Sequence, residues 1–325
     1  MEQETWDVII VGAGSAGMAA AIYAARFNLK TLIIGKVVGG LLNESHNVEN
    51  YPGYKSIPGL DLMMNFKEHV DNLGVPIKEE WAIDAKSEQL NDDKKRVFII
   101  TTKDEDEREH TYRGRTVILT MGTKHRHLGA KREDELAGKG VSYCATCDAA
   151  FYRNIPVCIV GGGDSAAQAG ELVAQFASHV YMLVRSEKMR AEPINIKRLE
   201  TNKKITIIYN TQVLEVLGER EVTGVRLSTQ YNGSDVLPVS GMFVEIGQIV
   251  QSELAVKLGV KVNERKEIII DSDSQTNIPG VWAAGDVGNR KYKQALTGAS
   301  EGAIAAFGAY ALLRSTEDQP SDVGY

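Results

Sequence analysis

Apolar and polar residues follow one another along the chain as strand, glycine turn, helix and strand, and the series occurs twice. Trp6-Asp7-Val8-Ile9-Ile10-Val11 is an apolar run of strand length, and Gly12-Ala13-Gly14-Ser15-Ala16-Gly17 comes next. An alanine-rich helix to about Phe27 and the strand Lys30-Thr31-Leu32-Ile33-Ile34-Gly35 complete the first unit. Val157-Cys158-Ile159-Val160 opens the second, with Gly161-Gly162-Gly163-Asp164-Ser165-Ala166, a helix through about Phe176 and a strand over 179–184. Elsewhere the pattern predicts helices near 59–73, 192–200 and 294–313. Strands are expected near 78–85, 96–102, 110–113, 116–121, 205–209, 212–217, 222–229 and 241–246. Residues 35–59 are irregular and glycine-rich, a length of loop that in a compact domain is usually functional.

Strand, G-x-G-x-x-G and helix, in that order, form the dinucleotide-binding fingerprint. The glycines let backbone approach a pyrophosphate, and the helix start supplies N–H donors with a favourable dipole. In the second copy Ala166 takes the third glycine's place, which the fingerprint tolerates. Two copies imply two bound nucleotides. An acid at the end of the unit's second strand suits a free ribose, and an arginine suits a 2'-phosphate. The first unit ends on Gly35 and is silent; the second ends on Arg185, with Lys188 and Arg190 close behind, which favours NADPH there.

Between the two units stands Cys144-Ala145-Thr146-Cys147-Asp148. Two cysteines two residues apart can close and reopen a small disulfide ring. Such pairs keep one thiol acidic enough to be thiolate near neutral pH, and Asp148 is placed to move the proton that exchange sheds or regains. A structural staple is the weaker reading, because so short a loop removes little unfolded-state entropy. Zinc is another: His125 and His127 precede the pair, in an order and spacing uncommon for a finger. Cys158, alone in an apolar strand, reads as a packing residue.

Composition narrows the class without naming a chemistry. With 43% apolar and 25% charged residues and a net charge of −6, the chain reads as a globular protein of about two domains, with no general pull toward nucleic acid or anionic membrane. Three cysteines make no secreted disulfide framework, and the Met1-Glu2-Gln3-Glu4 start lacks the features of a signal peptide, so the expected location is cytoplasmic. The most apolar stretch, near 303–313, is read as too short to cross a membrane.

Together these pieces resemble the low-molecular-weight, bacterial and archaeal type of thioredoxin reductase. The specific segments are Gly140-Val141-Ser142-Tyr143-Cys144-Ala145-Thr146-Cys147-Asp148, Ile159-Val160-Gly161-Gly162-Gly163-Asp164-Ser165-Ala166, Arg190-Ala191-Glu192, Val48-Glu49-Asn50-Tyr51-Pro52-Gly53 and Ile278-Pro279-Gly280-Val281-Trp282-Ala283-Ala284-Gly285-Asp286-Val287. The resemblance implies an α/β fold of two Rossmann-like dinucleotide-binding domains, the second inserted in the first and joined to it by a two-strand hinge. Residues 1–123 and 247–325 would bind FAD, and 124–246 would bind NADPH and carry the redox pair.

By the same likeness Gly12, Gly14, Ser15 and Gly17 hold the FAD pyrophosphate. Gly39, Gly40, Leu41, Asn50 and Gly122 lie along the flavin, Asp286 bonds the ribityl chain, and Gln294 and Ala295 approach the ring. Gly161, Gly163, Asp164, Ser165, Ala166, Arg185 and Arg190 are the implied NADPH residues. Cys147 would face the flavin, Cys144 would attack the partner, and Asp148 would transfer protons. The implied partner is a thioredoxin- or glutaredoxin-like protein, and the implied assembly a homodimer. Gly122 and Gly247 suit the hinge about which the inserted domain must turn.

Three departures from the family pattern bear on the electron donor and the flavin. NADPH users commonly show H-R-R-x-x-x-R where this chain reads Val184-Arg185-Ser186-Glu187-Lys188-Met189-Arg190, so one arginine is a serine and the phosphate clamp is weakened. NADH and ferredoxin are the alternative donors. Leu41 stands where glutamine is frequent, and Gly247-Gln248-Ile249-Val250-Gln251 lacks the usual proline. Two rival functions are a peroxide-system flavoprotein, disfavoured because Met1 stands five residues before the first strand, and a non-catalytic zinc or redox-sensing module.

Overall fold

The structure is a computed structural model and describes residues 4–45, 48–89 and 96–315. Contacts divide the chain into two compact units, 1–124 with 250–325 and 125–249. The first unit begins with β1 (Thr5–Val11), α1 (Ser15–Arg26) and β2 (Thr31–Ile34). It continues through α2 (Gly59–Asn72), β3 (Ile77–Lys78), β4 (Trp81–Gln89), β5 (Arg96–Lys103) and β6 (Glu109–Leu119). After β7 (Thr123–His125) the second unit holds β8 (Val141–Ser142), α3 (Ala145–Asp148), β9 (Pro156–Val160), α4 (Asp164–Phe176), β10 (His179–Leu183), α5 (Pro193–Thr201) and β11 (Ile205–Ile208), then β12 (Val213–Leu217), β13 (Gly224–Tyr231), β14 (Ser234–Leu237) and β15 (Gly241–Val244). The chain returns through β16 (Gln248–Val250), which pairs with β7, to α6 (Glu253–Lys257), β17 (Val281–Ala283) and α7 (Ala295–Ser315).

In the first unit β3, β2, β1 and β6 are parallel neighbours in that order. The other edge of β6 is divided: β5 pairs antiparallel with residues 109–114, and β17 pairs parallel with residues 117–119. Both faces are covered, which is why these strands read as continuous apolar runs. Val8, Ile10 and Ile33 pack with residues of α1, α2 and α7, while Ile9, Val11, Leu32 and Ile34 pack with Phe98, Ile100 and the α6 residues Leu254 and Ala255. Each fully buried Val or Ile contributes about 1.5–3 kcal/mol.

The second unit has a five-stranded parallel sheet, β11-β10-β9-β15-β8, with α4 on one side and the antiparallel meander β12-β13-β14 on the other. Alternate β9 residues face the two layers: Val157 and Ile159 lie in the α4 core, Cys158 and Val160 in the meander core. The expected pair of Rossmann-like folds is thus the observed architecture.

Two sequence expectations are corrected. The separate strands near 110–113 and 116–121 are one strand, because Gly114 continues the pairing with β1 and β5 and its missing side chain leaves room for Ile9. The apolar stretch near 303–313, read as too short for a membrane span, belongs to a helix of 21 residues that has the length and apolar composition of one. Its Gly298, Ala299, Gly302, Ala305, Ala306 and Ala309 are nevertheless buried, and its small residues let it lie close to α1.

Closest approach is at Gly302, where a Cβ would overlap the Ala16 carbonyl oxygen. Gly302→Ala is expected to destabilise the first unit by roughly 1–3 kcal/mol, seen as a lower denaturant midpoint.

Candidate active site

The two glycine turns are built alike. Gly12 has φ +116°, and a Cβ there would strike the Thr120 carbonyl; one on Gly17 would strike the Gly12 carbonyl. These two glycines therefore serve close packing. Thr120 Oγ1 donates within the same corner, with Val11 O and Gly12 O each at 2.9 Å, a role sequence reasoning missed. Gly14 differs, because the nearest atom to a Cβ would be Gly39 O at 4.0 Å. It is the N-cap of α1, which has no side-chain cap and no acid in its first turn, so the first N–H groups, from Ser15 onward, are left for an anion.

The Gly39-Gly40 turn closes over this point. Both residues have positive φ, and a Cβ on Gly40 would stand 3.4 Å from Gly14 Cα. Leu41 follows, half-buried, in the 3-10 helix Gly40–Glu44. Asn43, also unforeseen, donates its Nδ2 to Val38 O at 2.8 Å. Its Oδ1 is buried with no donor among the described residues. Residues 46–47, which follow this helix in the loop, lie outside the described residues.

From the far end of the chain come Asp286 and the start of α7. Asn50 Nδ2 donates to Gln294 Oε1 at 3.0 Å, so two residues expected beside one ligand are brought together, and Ala295 opens the helix. The Asp286 carboxylate accepts no hydrogen bond among the described residues. Burial pushes its pKa up, against the pull of Lys293. Its backbone is fixed from both sides: Lys293 Nζ donates to Asp286 O at 3.0 Å and to Glu267 Oε1 at 2.6 Å, and Gly285 N–H donates to Glu301 Oε2 at 2.8 Å. Glu301 is also raised by burial, with Arg290 3.4 Å away as a counter-charge. An uncapped helix start, an orphaned amide oxygen and an unpaired carboxylate fit a ligand with phosphates and hydroxyls. Gly122, at φ +62°, accepts the Gln251 N–H at 3.0 Å at the end of this unit.

In the second unit a Cβ on Gly161 would overlap the Glu245 carbonyl, whereas one on Gly163 would meet nothing within 4 Å. Gly163 is the uncapped N-cap of α4. Asp164 does not cap the helix: its Oδ1 accepts Glu192 N–H at 2.7 Å and Asn195 Nδ2 at 3.0 Å. Arg190 N–H donates to Gly162 O at 2.6 Å, which holds the 185–190 loop to the turn. Arg185 and Arg190 are exposed and form no ion pair among the described residues. The Ser186 hydroxyl is engaged by Lys188 O at 2.9 Å. Ser165 is exposed and Ala166 buried. This surface fits a phosphorylated nucleotide.

Cys144 follows β8, is half-buried and is disulfide-bonded. Its N–H donates to Ser142 Oγ at 3.1 Å, and Asp148 N–H to Cys144 O at 3.2 Å. Cys147 lies in α3, and its side chain is outside the described residues. Asp148 is half-buried, and its charge helps burial raise the Tyr152 pKa. Phe151, which sequence reasoning passed over, is 76% exposed three residues on. His127 Nδ1 lies 2.9 Å from Asp134 Oδ1, and no group of three or more His, Cys, Asp and Glu among the described residues is placed to hold a metal ion. Cys158 is buried and free, its thiol pKa pushed well up by burial.

Residues 6–302 match the model of the pyridine nucleotide-disulphide oxidoreductase family. The chain belongs to that family. A thioredoxin reductase of Listeria innocua is 38% identical over 307 residues, 94% of this chain and 92% of that protein. Crystal structures of thioredoxin reductases from Lactococcus lactis and T. acidophilum match with TM-scores of 0.88 and 0.86, at 34% and 36% identity, each over 95% of this chain and 99% of the other. The chain is thus a pyridine nucleotide-disulphide oxidoreductase of the thioredoxin reductase type, a family that implies a flavin and a nicotinamide cofactor.

Because burial favours the neutral Asp286 carboxyl, the folded state holds its proton to higher pH than the unfolded chain, and stability falls as pH rises between the two values. Flavin-stripped Asp286→Asn is therefore expected to unfold at higher denaturant than stripped wild type at pH 7. The difference should close as pH falls below the unfolded value of about 3.9.

Proposed function

We propose that the protein is a thioredoxin-disulfide reductase that draws electrons from NADPH by way of FAD and delivers them, through the Cys144–Cys147 disulfide, to the disulfide of a thioredoxin- or glutaredoxin-like protein. The observation that carries this is Cys144 itself, disulfide-bonded and half-buried at the head of a short helix that ends on Asp148. Bound FAD and NADPH supply the hydride and electron transfer that no side chain performs alone. On this reading the first turn of α1 binds the FAD pyrophosphate, with Gly12, Gly14, Ser15 and Gly17. Gly39, Gly40, Leu41, Asn50, Gly122, Gln294 and Ala295 line the flavin, and Asp286 bonds the ribityl hydroxyls.

The first turn of α4 takes the NADPH pyrophosphate, and Arg185 and Arg190 the 2'-phosphate. Cys147 receives the electrons, Cys144 attacks the partner, and Asp148 exchanges the protons that accompany opening and closing of the disulfide. The exposed ring of Phe151, in the segment that follows α3, offers the partner an apolar contact. The crossings carry Gly122 at φ +62° and Gly247 at φ +97°, both with open space where a Cβ would stand, as a hinge between domains 1–123 with 247–325 and 124–246 would need. The thiol cycle suits a reducing cytoplasm.

NADH is the second donor reading, favoured by Ser186, which offers neutral oxygen where the pattern has arginine. Anaerobic protein mixed in turn with NADPH, NADH and reduced ferredoxin should bleach from yellow fastest with NADPH. Arg185→Ala should lower kcat/KM for NADPH by about ten-fold and leave NADH nearly unchanged, the loss of one charge-assisted bond. Bleaching only by ferredoxin, or a colourless protein, would overturn the donor assignment.

The assembly we infer is a homodimer. Tyr23 of α1, Phe27 just past its end, and Phe307 and Tyr310 of α7 form an aromatic cluster in which Tyr23 and Phe307 are about half exposed, and Ile304 adds to the exposed face of α7. A helix apolar on both sides is one that is covered on both sides. Sedimentation should give about twice the 35.6 kDa chain mass, and Phe307→Glu should shift it toward one chain.

A further inference from the structure

Residues 127–136 make a loop that the electron path does not use, yet it is firmly built. Glu133 is 2% exposed and accepts four hydrogen bonds. Oε1 takes Leu128 N–H and the Tyr143 O–H, each at 2.8 Å, and Oε2 takes Gly129 N–H at 2.6 Å and Ala130 N–H at 3.2 Å. A carboxylate withdrawn from water is tolerable only when matched in this way. The next residue back, Arg132, is held at φ +66°, a left-handed conformation a non-glycine residue keeps where its surroundings dictate it.

All of this converges on the residue before Cys144. The His127 ring lies 4.8 Å from the Tyr143 ring, with Nδ1 at 3.1 Å from Tyr143 Oη. Since the Tyr143 hydrogen goes to Glu133, that oxygen accepts from His127, whose Nδ1–H tautomer serves both it and Asp134. On the other side, buried Ser142 pairs with Phe243 of β15 and receives the Cys144 N–H on its hydroxyl. Tyr143 is thus held by its side chain while its neighbours are held by strand pairing and by that hydrogen bond. Rotation about the Tyr143 backbone would swing Cys144 as a whole, and the anchored side chain opposes it.

We propose that Tyr143 is a positioning residue for Cys144, and that its bond to Glu133 sets the line along which the sulfur meets a protein disulfide. The proposal rests on the reading of Cys144 as the attacking thiol. Attack on a disulfide needs three sulfurs nearly in line. A docked protein presents its disulfide at one fixed angle, whereas a small reagent can turn to suit. Losing the anchor therefore penalises the protein substrate selectively.

Tyr143→Phe keeps the ring and removes the hydroxyl. In the holoenzyme its kcat with oxidised thioredoxin should fall about five-fold, the scale of one ordinary hydrogen bond, with KM little changed. Turnover of dithiobis-nitrobenzoate and anaerobic flavin bleaching by NADPH should stay near wild type. Rates on both disulfides at wild-type level, or falling in the same ratio, would overturn the proposal. His127→Phe, on the exposed side, keeps a ring against Tyr143 and leaves the core alone. It should show the same split at smaller size, and it decides the matter if Tyr143→Phe does not fold; no split there would count against the proposal. Cys144→Ser tests the underlying reading separately: retained thioredoxin turnover there would defeat the assignment of the thiol whatever the Tyr143 variants do.

Discussion

Two helices, α1 and α4, begin on glycine with no side chain to cap them, and much of the architecture follows from that unmet demand. The first N–H groups of a helix have no partner of their own, and the aligned peptide dipoles place roughly half a positive charge beside them. A buried donor left unmatched costs about 1–3 kcal/mol. A serine or aspartate cap would have satisfied the helix and closed the site. Gly14 and Gly163 leave both starts open, with no atom of the protein closer than 4.0 Å to where a Cβ would stand.

Holding an open helix start in place takes rigid support around it. Gly12, Gly17 and Gly161 are sites of backbone contact, where the strand, the helix and the neighbouring chain approach too closely for any side chain. Charge is arranged to the same end near Asp286. Its own carboxylate is left unpaired among the described residues, while Lys293, itself held by Glu267, binds the Asp286 carbonyl and Glu301 binds the N–H of Gly285 before it. The supporting groups are matched and the presenting group is left to its ligand.

What could be read from the sequence was local. Apolar runs followed by glycines located both nucleotide units because strand, turn and helix there are contiguous, and the cysteine pair is legible for the same reason. Gly114 was misleading, since a glycine inside a strand looks like a break until the neighbouring Ile9 that needs its space is seen. The Asn50–Gln294 bond joins residues whose nearness only the fold creates. Glu133 looks like any charge in the run Lys131-Arg132-Glu133-Asp134-Glu135, and nothing in that run marks the one carboxylate that is buried. The extent of α7 was legible almost to the residue, but that its small residues serve to lie against α1 was not, because the partner helix is far away in sequence.

The divided edge of β6 has a bearing on how the chain is made. Its first half is covered by β5, which precedes it, but residues 117–119 await β17, whose strand spans Val281–Ala283. Throughout synthesis of the inserted unit, the earlier sheet shows unpaired backbone and lacks the helix that packs against α1. An open strand edge of this kind invites pairing with another nascent chain. The insertion that brings two nucleotide folds into one protein thus exposes the ribosome-bound intermediate to misassembly, and the short apolar segment of β6 is where a chaperone's protection would count most.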